Sequence, residues 1–535
     1  MLNVIPYPNR VVYRQGKFVF SKNTQVNFFG FEGIEKYVKR AFDRAEKLLK
    51  EYKTPTTISF TVDDTLAEES YVVDIEESEI TVTASTDKGA LYAFSTLRQL
   101  LLIDTVEKDD LVRVDCVRIE DEPSMKYRGL LLDSARHFIP VKEVKEHLDV
   151  MALLKLNHLH FHLNDNQGWR IEIKKYPLLT EIGSKRKDSV ISAWDDRDVK
   201  YEGKPHEGFY TQDEIRDIVA YASMLGITVI PEIDAPAHFY SALAAYPELS
   251  CTGEKVEVKA SMGGVSFGDW DLIMCAGKEE SYKFLFDVWD EVCELFPSPY
   301  VHVGGDEAPK GKWKKCPHCQ AMMKKLGLKN EEDLQGYLEN SLIEHLAKKG
   351  KRVIGWNEIL AADNISKDSV VQYWTTRQDE RAEKFIAEGG SAIMSRNQVF
   401  YFDMSYGYVH LKKIYDYTHE KYGARKSDNI IGAECTLWSE FLHTRDIRNL
   451  KLYPRLQAFS EVTWTRKENK NYRSFVDRFY SGMAPILDRY DIDYALPEVA
   501  CPGLKERIIG NQRFVSGNPN YDYEKNLKLK KDMLK

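Results

Sequence analysis

The feature that most constrains this chain is an alternation of short apolar strands and long helical segments that begins at Lys126. One helical segment, "TQDEIRDIVAYASMLG", opens with a capping box of Thr211 and Glu214. The eight candidate strands are "YRGLLLD", "HLHFHLND", "TVIPEID", "YVHVGGD", "RVIGWNE", "SVVQYW", "SAIMSR" and "IIGAECTLW". Eight such repeats are typical of an α/β fold of the (β/α)8 TIM-barrel type. We therefore predict a barrel over residues 125–500.

The first 124 residues have a different pattern. The segment "SYVVDIEESEITVTAS" alternates apolar and polar residues around an acidic break, which predicts an antiparallel hairpin. The next segment, "DKGALYAFSTLRQLLL", has apolar residues at helical spacing. We therefore predict a small α+β domain over residues 1–124 that packs rigidly on the barrel, since no low-complexity linker follows it. Residues 501–535 are expected to form a tail that packs on the barrel or is partly disordered.

The net charge limits the class of partner. A formal charge of −8 argues against a nucleic acid or an anionic membrane, because phosphate binding needs a concentrated basic surface. No apolar run approaches the roughly 18 residues of a membrane span, and "MLNVIPYPNRVVYRQGK" lacks the pattern of a secretory leader. We expect a cytoplasmic protein with a neutral or weakly charged ligand. The oligomeric state is not indicated.

Eight cysteines are spread thinly along the chain, unlike the cysteines of a disulfide framework. The sequence "KCPHCQ" gives Cys316 and Cys319 a CxxC spacing, with His318 between them. A zinc site needs about four ligands, and no second CxxC appears. A surface thiol pair or a loop disulfide is therefore favoured over zinc.

Polar or aromatic residues follow every predicted strand at the same end. In a parallel barrel these ends meet in one bowl, where catalytic residues gather. Each residue alone has an ordinary explanation, such as a helix cap or a core aromatic side chain. Their recurrence on eight strands predicts a functional site. In strand order they are Asp133 and Arg136; His162 and Asp165; Asp234 and His238; Asp306 and Glu307; Trp356 and Glu358; Trp374; Tyr401 and Asp403; Trp438 and Glu440.

These residue types indicate a neutral, polyhydroxylated ligand. Acids and an arginine pair with hydroxyls, and tryptophan faces cover the apolar side of a sugar ring. There is no Gly-rich phosphate loop or Walker-type lysine, and nothing indicates a cofactor. Metal binding is the competing use of His162, Asp165, Asp234 and His238. We favour acid catalysis on a sugar over that use.

The stretch "YVHVGGDEAPK" places Asp306 and Glu307 side by side. Glycosidic cleavage ordinarily uses two carboxyl groups on opposite sides of the bond, about 5 to 5.5 Å apart for retention and wider for inversion. Adjacent residues at a strand end diverge and can hardly flank one anomeric carbon. If Glu307 protonates the leaving oxygen, Asp306 has another task and the nucleophile belongs to the substrate. An N-acetyl group at C2 can supply its carbonyl oxygen while Asp306 holds the amide N–H.

Several motifs together resemble those of one known family. "RGLLLDSARHF", "HLHFHLNDNQGWRIEI", "PEIDAPAH", "HVGGDE", "GWNE" and "TLWSE" are similar to glycoside hydrolase family 20, the β-N-acetylhexosaminidases, in the family's order over nearly the whole chain. That family has an α+β domain before its catalytic barrel and uses the substrate's acetamido group in a retaining mechanism. The resemblance implies an exo-acting enzyme that hydrolyses terminal β-linked GlcNAc or GalNAc of an oligosaccharide through an oxazolinium intermediate, without a metal.

The resemblance also implies roles for individual residues. Glu307 would be the general acid and base, and Asp306 would orient and stabilise the acetamido group. Tyr401 would bind the acetamido carbonyl, and Asp165 and His238 would support Glu307. Six residues would bind the sugar, with three tryptophans around the acetamido pocket and three polar groups on the ring hydroxyls: Trp356, Trp374, Trp438, Arg136, Asp403 and Glu440.

Some positions differ from the family pattern. Asn166 replaces a second Asp, Ala237 replaces a Gly, and "QYWTTR" lacks the usual small residues after the Trp. Other functions on this scaffold are a disaccharide-releasing biosidase or a hydrolase of substituted hexosamines. A catalytically silent sugar-binding protein is a further alternative, which the intact Asp306, Glu307 and Tyr401 disfavour.

Overall fold

The computed structural model describes residues 2–192, 199–260, 272–423 and 427–533. Its N-terminal part contains a six-stranded mixed sheet within these ranges, in the order β1-β6-β4-β5-β3-β2. The strands are β1 (Arg10–Phe20), β2 (Gln25–Phe29), β3 (Thr57–Val62), β4 (Tyr71–Ile75), β5 (Glu79–Ala84) and β6 (Val112–Asp121). Helices Glu32–Glu46 and Asp87–Leu100 pack against the sheet. The predicted hairpin is confirmed, since β4 and β5 pair antiparallel.

The barrel is closed by parallel strands, eight of them in the described part of the chain. They are β7 (Tyr127–Asp133), β8 (His158–His162), β9 (Thr228–Glu232), β10 (Tyr300–His302), β11 (Arg352–Trp356), β12 (Val370–Tyr373), β13 (Ser391–Met394) and β14 (Ile430–Leu437). Each strand pairs with the next, and β14 pairs with β7. The predicted TIM barrel is confirmed. After β7, every strand ends one to four residues earlier than predicted, and residues beyond several of these ends, among them Asp165, Asp234 and Trp438, lie in the bowl of the barrel.

Helices surround the barrel and bury one face against it. The capping box at Thr211 is confirmed, with reciprocal hydrogen bonds to Glu214 of 3.2 and 2.8 Å. No helix among the described residues is long and apolar enough to cross a membrane. The α-helices after β7 are Val141–Leu153, Leu178–Glu181, Gln212–Met224, Tyr240–Ala245, Glu279–Leu295, Gly311–Lys315, Pro317–Leu326, Glu331–Ala347, Asp379–Ala387, Asn397–Phe400, Leu411–Tyr415, Arg445–Leu452, Arg455–Trp464, Tyr472–Arg478, Ala484–Arg489, Pro497–Ala500, Leu504–Val515 and Tyr521–Met533.

Buried charges join the N-terminal sheet to the barrel. Asp121, at the end of β6, accepts hydrogen bonds from Lys155 Nζ at 3.2 Å and from Trp464 Nε1 at 2.9 Å. Arg128 on β7 forms an ion pair of 2.8 Å with Glu69. The indole of Trp464 belongs to the hydrophobic core of the N-terminal part, although the residue ends a helix of the barrel. The two parts therefore share core residues.

The last two helices also contact the barrel. Asp522 accepts a hydrogen bond of 2.9 Å from the Tyr406 N–H, and its carboxylate lies 3.3 Å from Lys451 Nζ. Phe514 lies in the helix Leu504–Val515, and its side chain, which is only 3% exposed, anchors that helix. The division of the chain after residues 124 and 500 stays a prediction.

The expectation of a surface thiol pair at Cys316 and Cys319 is wrong. Their exposed fractions are 4% and 0%, because the N-cap and third positions of the helix face the core, whereas Pro317 and His318 between them are exposed. Both thiols are free, so the alternative of a loop disulfide is not found either.

Candidate active site

A glycine turn delivers the acidic pair from the end of β10 into the bowl. Gly304 and Gly305 have φ angles of +74° and +95°, which side-chain-bearing residues rarely adopt. A Cβ atom on Gly304 would lie 1.7 Å from Asp234 Oδ1, and the Gly305 N–H donates to that same oxygen at 3.2 Å. The backbone of Glu307 is also in the left-handed region, with φ of +48°, a conformation found at functional sites. The turn therefore sets the direction of both carboxylates.

Both carboxylates reach one imidazole. His238 Nε2 lies 3.6 Å from Asp306 Oδ2 and 3.7 Å from Glu307 Oε2. The expectation that the adjacent side chains diverge is wrong, because the left-handed backbone at Glu307 turns its side chain back toward the same nitrogen. A pair that converges on one nitrogen leaves no room for an anomeric carbon between its carboxylates. The conclusion that they do not flank the scissile bond is therefore kept, on different geometry.

A buried network of ion pairs around Asp165 lies behind His238. Its Nδ1 atom is 3.3 Å from Asp165 Oδ1, and Asp165 Oδ2 is 2.8 Å from Arg136 and 3.1 Å from His162 Nε2. Burial opposes the charge on Asp165, but Arg136 and His238 hold its pKa well below the usual value. Burial likewise opposes a charged His238, but Asp165 and Asp306 raise its pKa to about 9. His238 is therefore a cation near neutral pH.

Asp306 is placed among other acids. Burial and the neighbouring Asp234 raise the pKa of Asp306 well above its usual value, against the lowering effect of His238. Burial and Glu232 raise the pKa of Asp234 in the same way. Within the described ranges, Asp306 Oδ1 has no hydrogen-bond partner. Asp306 thus offers a buried acceptor to a ligand.

Aromatic rings form a box beside Asp306. Trp356, Tyr401 and Trp438 belong to one buried cluster with Leu131, and Trp374 packs against it. The ring centroid of Tyr401 lies 5.8 Å from that of Trp374, in a stacked arrangement, and 6.0 Å from that of Trp438. Trp356 is fixed by a hydrogen bond of 2.9 Å from its Nε1 atom to Glu232, and Trp374 by one of 2.7 Å to Glu358. Carboxylates thus orient both indoles, and the faces of the box are apolar.

Polar groups lie along another edge of the box. The guanidinium of Arg136 is 4.9 Å from the Trp438 ring centroid and 3.9 Å from Glu440 Oε1. Burial and Glu440 raise the pKa of Asp403 to about 8. Asp403 Oδ1 is buried and has no hydrogen-bond partner in the described part of the chain. A largely protonated Asp403 can donate to a sugar oxygen as well as accept from a hydroxyl.

The structure brings all eleven predicted site residues to this end of the barrel. It does not assemble the four proposed metal ligands as one group: Asp165, Asp234 and His238 meet, whereas His162 Nδ1 binds Glu232. The cations of His238 and Arg136 on Asp165 also oppose a metal ion there. Glu232 was missed as a supporting residue. It is surrounded by His160, His162, His302 and Trp356, and the alternation of histidines in "HLHFH" was the available signal.

Arg377 is a second residue that the strand-end pattern missed. Its Nη1 atom lies 3.6 Å from Glu307 Oε1 and 3.2 Å from Glu358 Oε1, and its side chain is 60% exposed. It comes from "QYWTTR", the segment that departs from the family pattern. The unusual segment was therefore the available signal for Arg377, and it places a cation at the mouth of the site.

A cavity of about 1040 Å³ opens next to Glu307 and His238. Its walls come mainly from the loops after β8 and β9, including Tyr240, Lys259 and Ile273. The cavity lies outside the aromatic box, since none of the residues of the box lines it. The site thus combines the aromatic box with an open compartment beside Glu307.

Comparison with known proteins identifies the same family that the sequence motifs resemble. Residues 125–467 match the model of glycosyl hydrolase family 20, catalytic domain, and residues 1–122 match that of glycosyl hydrolase family 20, domain 2. The β-hexosaminidase of Porphyromonas gingivalis is 37% identical over 82% of this chain, which spans only 56% of that protein's length. The β-hexosaminidase of Vibrio furnissii is 33% identical, covering 86% of this chain and 76% of that protein.

Among solved structures, the chain is similar to the GH20 exo-β-N-acetylglucosaminidase of Vibrio harveyi in complex with N-acetylglucosamine. The TM-score is 0.80 at 32% identity, over 92% of this chain and 78% of that one. The eight-stranded barrel and the acidic pair agree with the family that the two domain matches indicate. The chain therefore belongs to glycoside hydrolase family 20, the family of the β-N-acetylhexosaminidases.

Proposed function

We propose that the protein is a retaining exo-β-N-acetylhexosaminidase that uses the acetamido group of its substrate as the nucleophile. The observation that carries this proposal is the convergence of Asp306 and Glu307 on His238 beside the aromatic box. Asp306 and Glu307 are not arranged as a flanking pair, whereas the aromatic box lies next to a buried acceptor, Asp306 Oδ1. The similarity to hexosaminidases supports the same activity.

The reaction begins with a terminal N-acetylhexosamine bound between the aromatic box and Glu307. The acetamido methyl group enters the box, Asp306 accepts the amide N–H, and the Tyr401 hydroxyl donates to the acetamido carbonyl. Arg136, Asp403 and Glu440 bind the ring hydroxyls. This orientation holds the carbonyl oxygen below the anomeric carbon, which turns an otherwise bimolecular attack into an intramolecular one.

In the first chemical step, Glu307 gives its proton to the glycosidic oxygen and the acetamido oxygen attacks the anomeric carbon. The bond to the leaving sugar breaks, and a cyclic oxazolinium cation forms. Asp306 stabilises the positive charge that develops on the amide. In the second step, Glu307 takes a proton from water, which attacks the anomeric carbon and restores the acetamido group. Two inversions at this carbon give net retention.

His238 and Arg377 belong to this cycle as supporting cations. His238 lies within 3.7 Å of both acids, so it can keep Asp306 ionised while Glu307 exchanges its proton. Arg377 contacts Glu307 from the exposed side, where the leaving sugar would depart. The cavity beside Glu307 has room for that sugar.

Hydrolysis of matched 4-nitrophenyl β-glycosides of GlcNAc, GalNAc and glucose tests this proposal. We expect cleavage of one or both N-acetyl sugars, release of the β-anomer first when the reaction is followed by NMR, and inhibition by a thiazoline analogue of the intermediate. The glucoside should be inert, since it has no acetamido nucleophile. Release of the α-anomer, rapid hydrolysis of the glucoside, or a covalent glycosyl ester on a carboxylate would contradict the mechanism. Cleavage of 4-nitrophenyl glycosides of disaccharides alone, with release of the disaccharide, would favour a biosidase.

A further inference from the structure

Four cysteines that are far apart in the sequence meet behind the loops after β9 and β10. The sulfur atoms of Cys251, Cys275, Cys316 and Cys319 all lie within 4.8 Å of one another. Cys275 Sγ is 3.6 Å from Cys319 Sγ and 3.7 Å from Cys316 Sγ, and Cys251 Sγ is 3.9 Å from Cys319 Sγ. Cys251 is half-buried and the other three are buried. The cluster is separate from the active site and has no part in the proposed reaction.

The spacing of the sulfur atoms matches a tetrahedral metal site. With zinc–sulfur bonds of about 2.3 Å, the edges of a tetrathiolate tetrahedron are about 3.8 Å long. A disulfide would instead bring two sulfur atoms to about 2.0 Å. The three distances above lie on either side of the tetrahedral edge. Four thiolate donors on a single ion are typical of structural zinc.

The backbone holds the four sulfur atoms together through contacts that do not involve sulfur. The Cys275 N–H donates to the Leu249 carbonyl at 2.8 Å, and Ser250 and Met274 form an antiparallel bridge. The Trp313 indole donates to the Met274 carbonyl at 2.9 Å. The three segments that carry the cysteines are therefore docked on one another.

Two features of this frame shape the CxxC end of the cluster. Cys316 and Cys319 occupy the N-cap and third positions of the ten-residue helix Pro317–Leu326, whose N-terminus stabilises negative charge. A Cβ atom on Gly277 would lie 2.2 Å from the Cys319 nitrogen, so only glycine allows this approach. The turn around Gly277 therefore packs closely against the turn that carries Cys316 and Cys319.

We propose that Cys251, Cys275, Cys316 and Cys319 bind one Zn²⁺ ion as a closed, structural tetrathiolate site. The ion displaces the thiol protons and leaves no open coordination position for chemistry. It ties the loop after β9 to the segment after β10. The first of these supplies Ile273 to the cavity wall, and the second carries Glu307, nine residues before Cys316. The site thus holds together the two loops on which the open compartment depends.

The direct test is the metal content of the protein, expressed with added zinc and purified without a metal-affinity column or chelator. Elemental analysis should find about one zinc per chain, and X-ray absorption should find four sulfur neighbours at about 2.3 Å. A thiol-reactive mercurial should release this zinc as the buried thiols react. Iron in place of zinc, disulfides detected by mass spectrometry, or four free thiols without metal would each overturn the proposal.

Matched variants locate the ion. Cys319→Ser and Cys275→Ser should lose most of the bound zinc and melt at a lower temperature. Cys293→Ser should keep one zinc per chain, because Cys293 lies on the helix Glu279–Leu295 outside the cluster. Should the cluster variants fail to fold, the mercurial titration of the unmodified protein still decides the question. Full zinc content in both cluster variants would place the ion elsewhere and overturn the assignment.

Discussion

At the scale of single residues, the site depends on ionisable groups whose charges influence one another. In the proposed mechanism Asp306 must be a carboxylate to stabilise the oxazolinium cation, yet burial and Asp234 raise its pKa. His238, at 3.6 Å, acts in the opposite direction. We therefore expect activity above the pKa of Asp306 and its loss as the pH falls through that pKa. The acid limb of the rate profile therefore reports on Asp306.

The first prediction concerns that limb. With an activated aryl substrate, kcat/KM should fall on the acid side at a pH above the ordinary Asp pKa of about 3.9. Asp234→Asn removes a negative neighbour and should move the limb to lower pH. His238→Gln removes a cation and should move it to higher pH. Profiles of kcat/KM against pH for the three proteins check this, and shifts in the same direction would refute it.

The second prediction separates the tasks of the adjacent acids. Glu307→Gln removes the proton donor, so kcat/KM should drop by about 10²–10⁴ for poor leaving groups and far less for activated aryl groups. Asp306→Asn keeps the size but loses the charge, so it should slow all substrates alike and weaken thiazoline binding. A series of aryl glycosides of graded leaving-group pKa measures both effects. Parallel losses in the two variants would show that the acids do not have separate tasks.

The sequence could predict which residues lie in the site but not how they touch. All eleven predicted residues follow barrel strands, and a parallel barrel brings strand ends together whatever the details. The convergence of Asp306 and Glu307 on His238 depends on left-handed backbone at Glu307 and at His238, with φ of +48° and +50°. No composition rule places such angles at Glu or His. Arg377 also follows a strand, but the strand-end pattern did not single it out, and only the unusual segment "QYWTTR" pointed to it.

At the scale of elements, the turn after β10 is where backbone and catalysis are coupled. Gly304 has φ of +74° and no room for a Cβ atom, which would meet Asp234 at 1.7 Å. Gly350 has a nearly equal φ of +72°, with nothing within 4 Å of its Cβ position. These two glycines separate the effect of crowding from that of backbone conformation.

The third prediction uses this pair. Gly350→Ala should cost about 1–2 kcal/mol of stability, from the left-handed conformation alone, and leave activity unchanged. Gly304→Ala adds a clash with Asp234 and should cost roughly 3 kcal/mol or more. It should also lower kcat, because Asp306 and Glu307 move with the turn. Denaturant unfolding and kinetics of both variants provide the check. Equal stability and equal activity would mean that the turn does not position the acids.

The sequence predicted the elements well where a pattern repeats and poorly where distant segments combine. The strands were found because apolar runs of β-rich composition recur at regular intervals, whereas their carboxyl ends were placed too late. The CxxC spacing was visible, but Cys251 and Cys275 approach it only through the loop after β9. A zinc site with one CxxC and two single cysteines has no linear signature, so the surface thiol pair was the wrong interpretation.

At the scale of the whole molecule, the N-terminal sheet and the barrel share a buried ion pair. Asp121 binds Lys155 at 3.2 Å, and both side chains are fully buried. The Lys155 ammonium also lies 4.5 Å from the Trp464 ring centroid, and its Nζ donates to the Tyr71 hydroxyl at 2.7 Å. The N-terminal part supplies Asp121 and Tyr71, and the barrel supplies Lys155 and Trp464. Because neither part satisfies these groups alone, we expect the two to unfold together.

The fourth prediction follows from this shared pair. Lys155→Met leaves the buried charge of Asp121 without its cation and should cost about 3–5 kcal/mol, lowering one common unfolding transition. Lys145→Met breaks an ion pair of 2.7 Å with Asp217 on the surface and should cost about 0–1 kcal/mol. The double variant Asp121→Asn with Lys155→Met should regain part of the loss, since no unpaired charge remains, while Trp464 and Tyr71 can still donate to the amide oxygen. Denaturant unfolding followed by tryptophan fluorescence and by activity checks all three variants. Two separate transitions, only one of which responds to Lys155→Met, would show that the N-terminal part folds independently of the barrel.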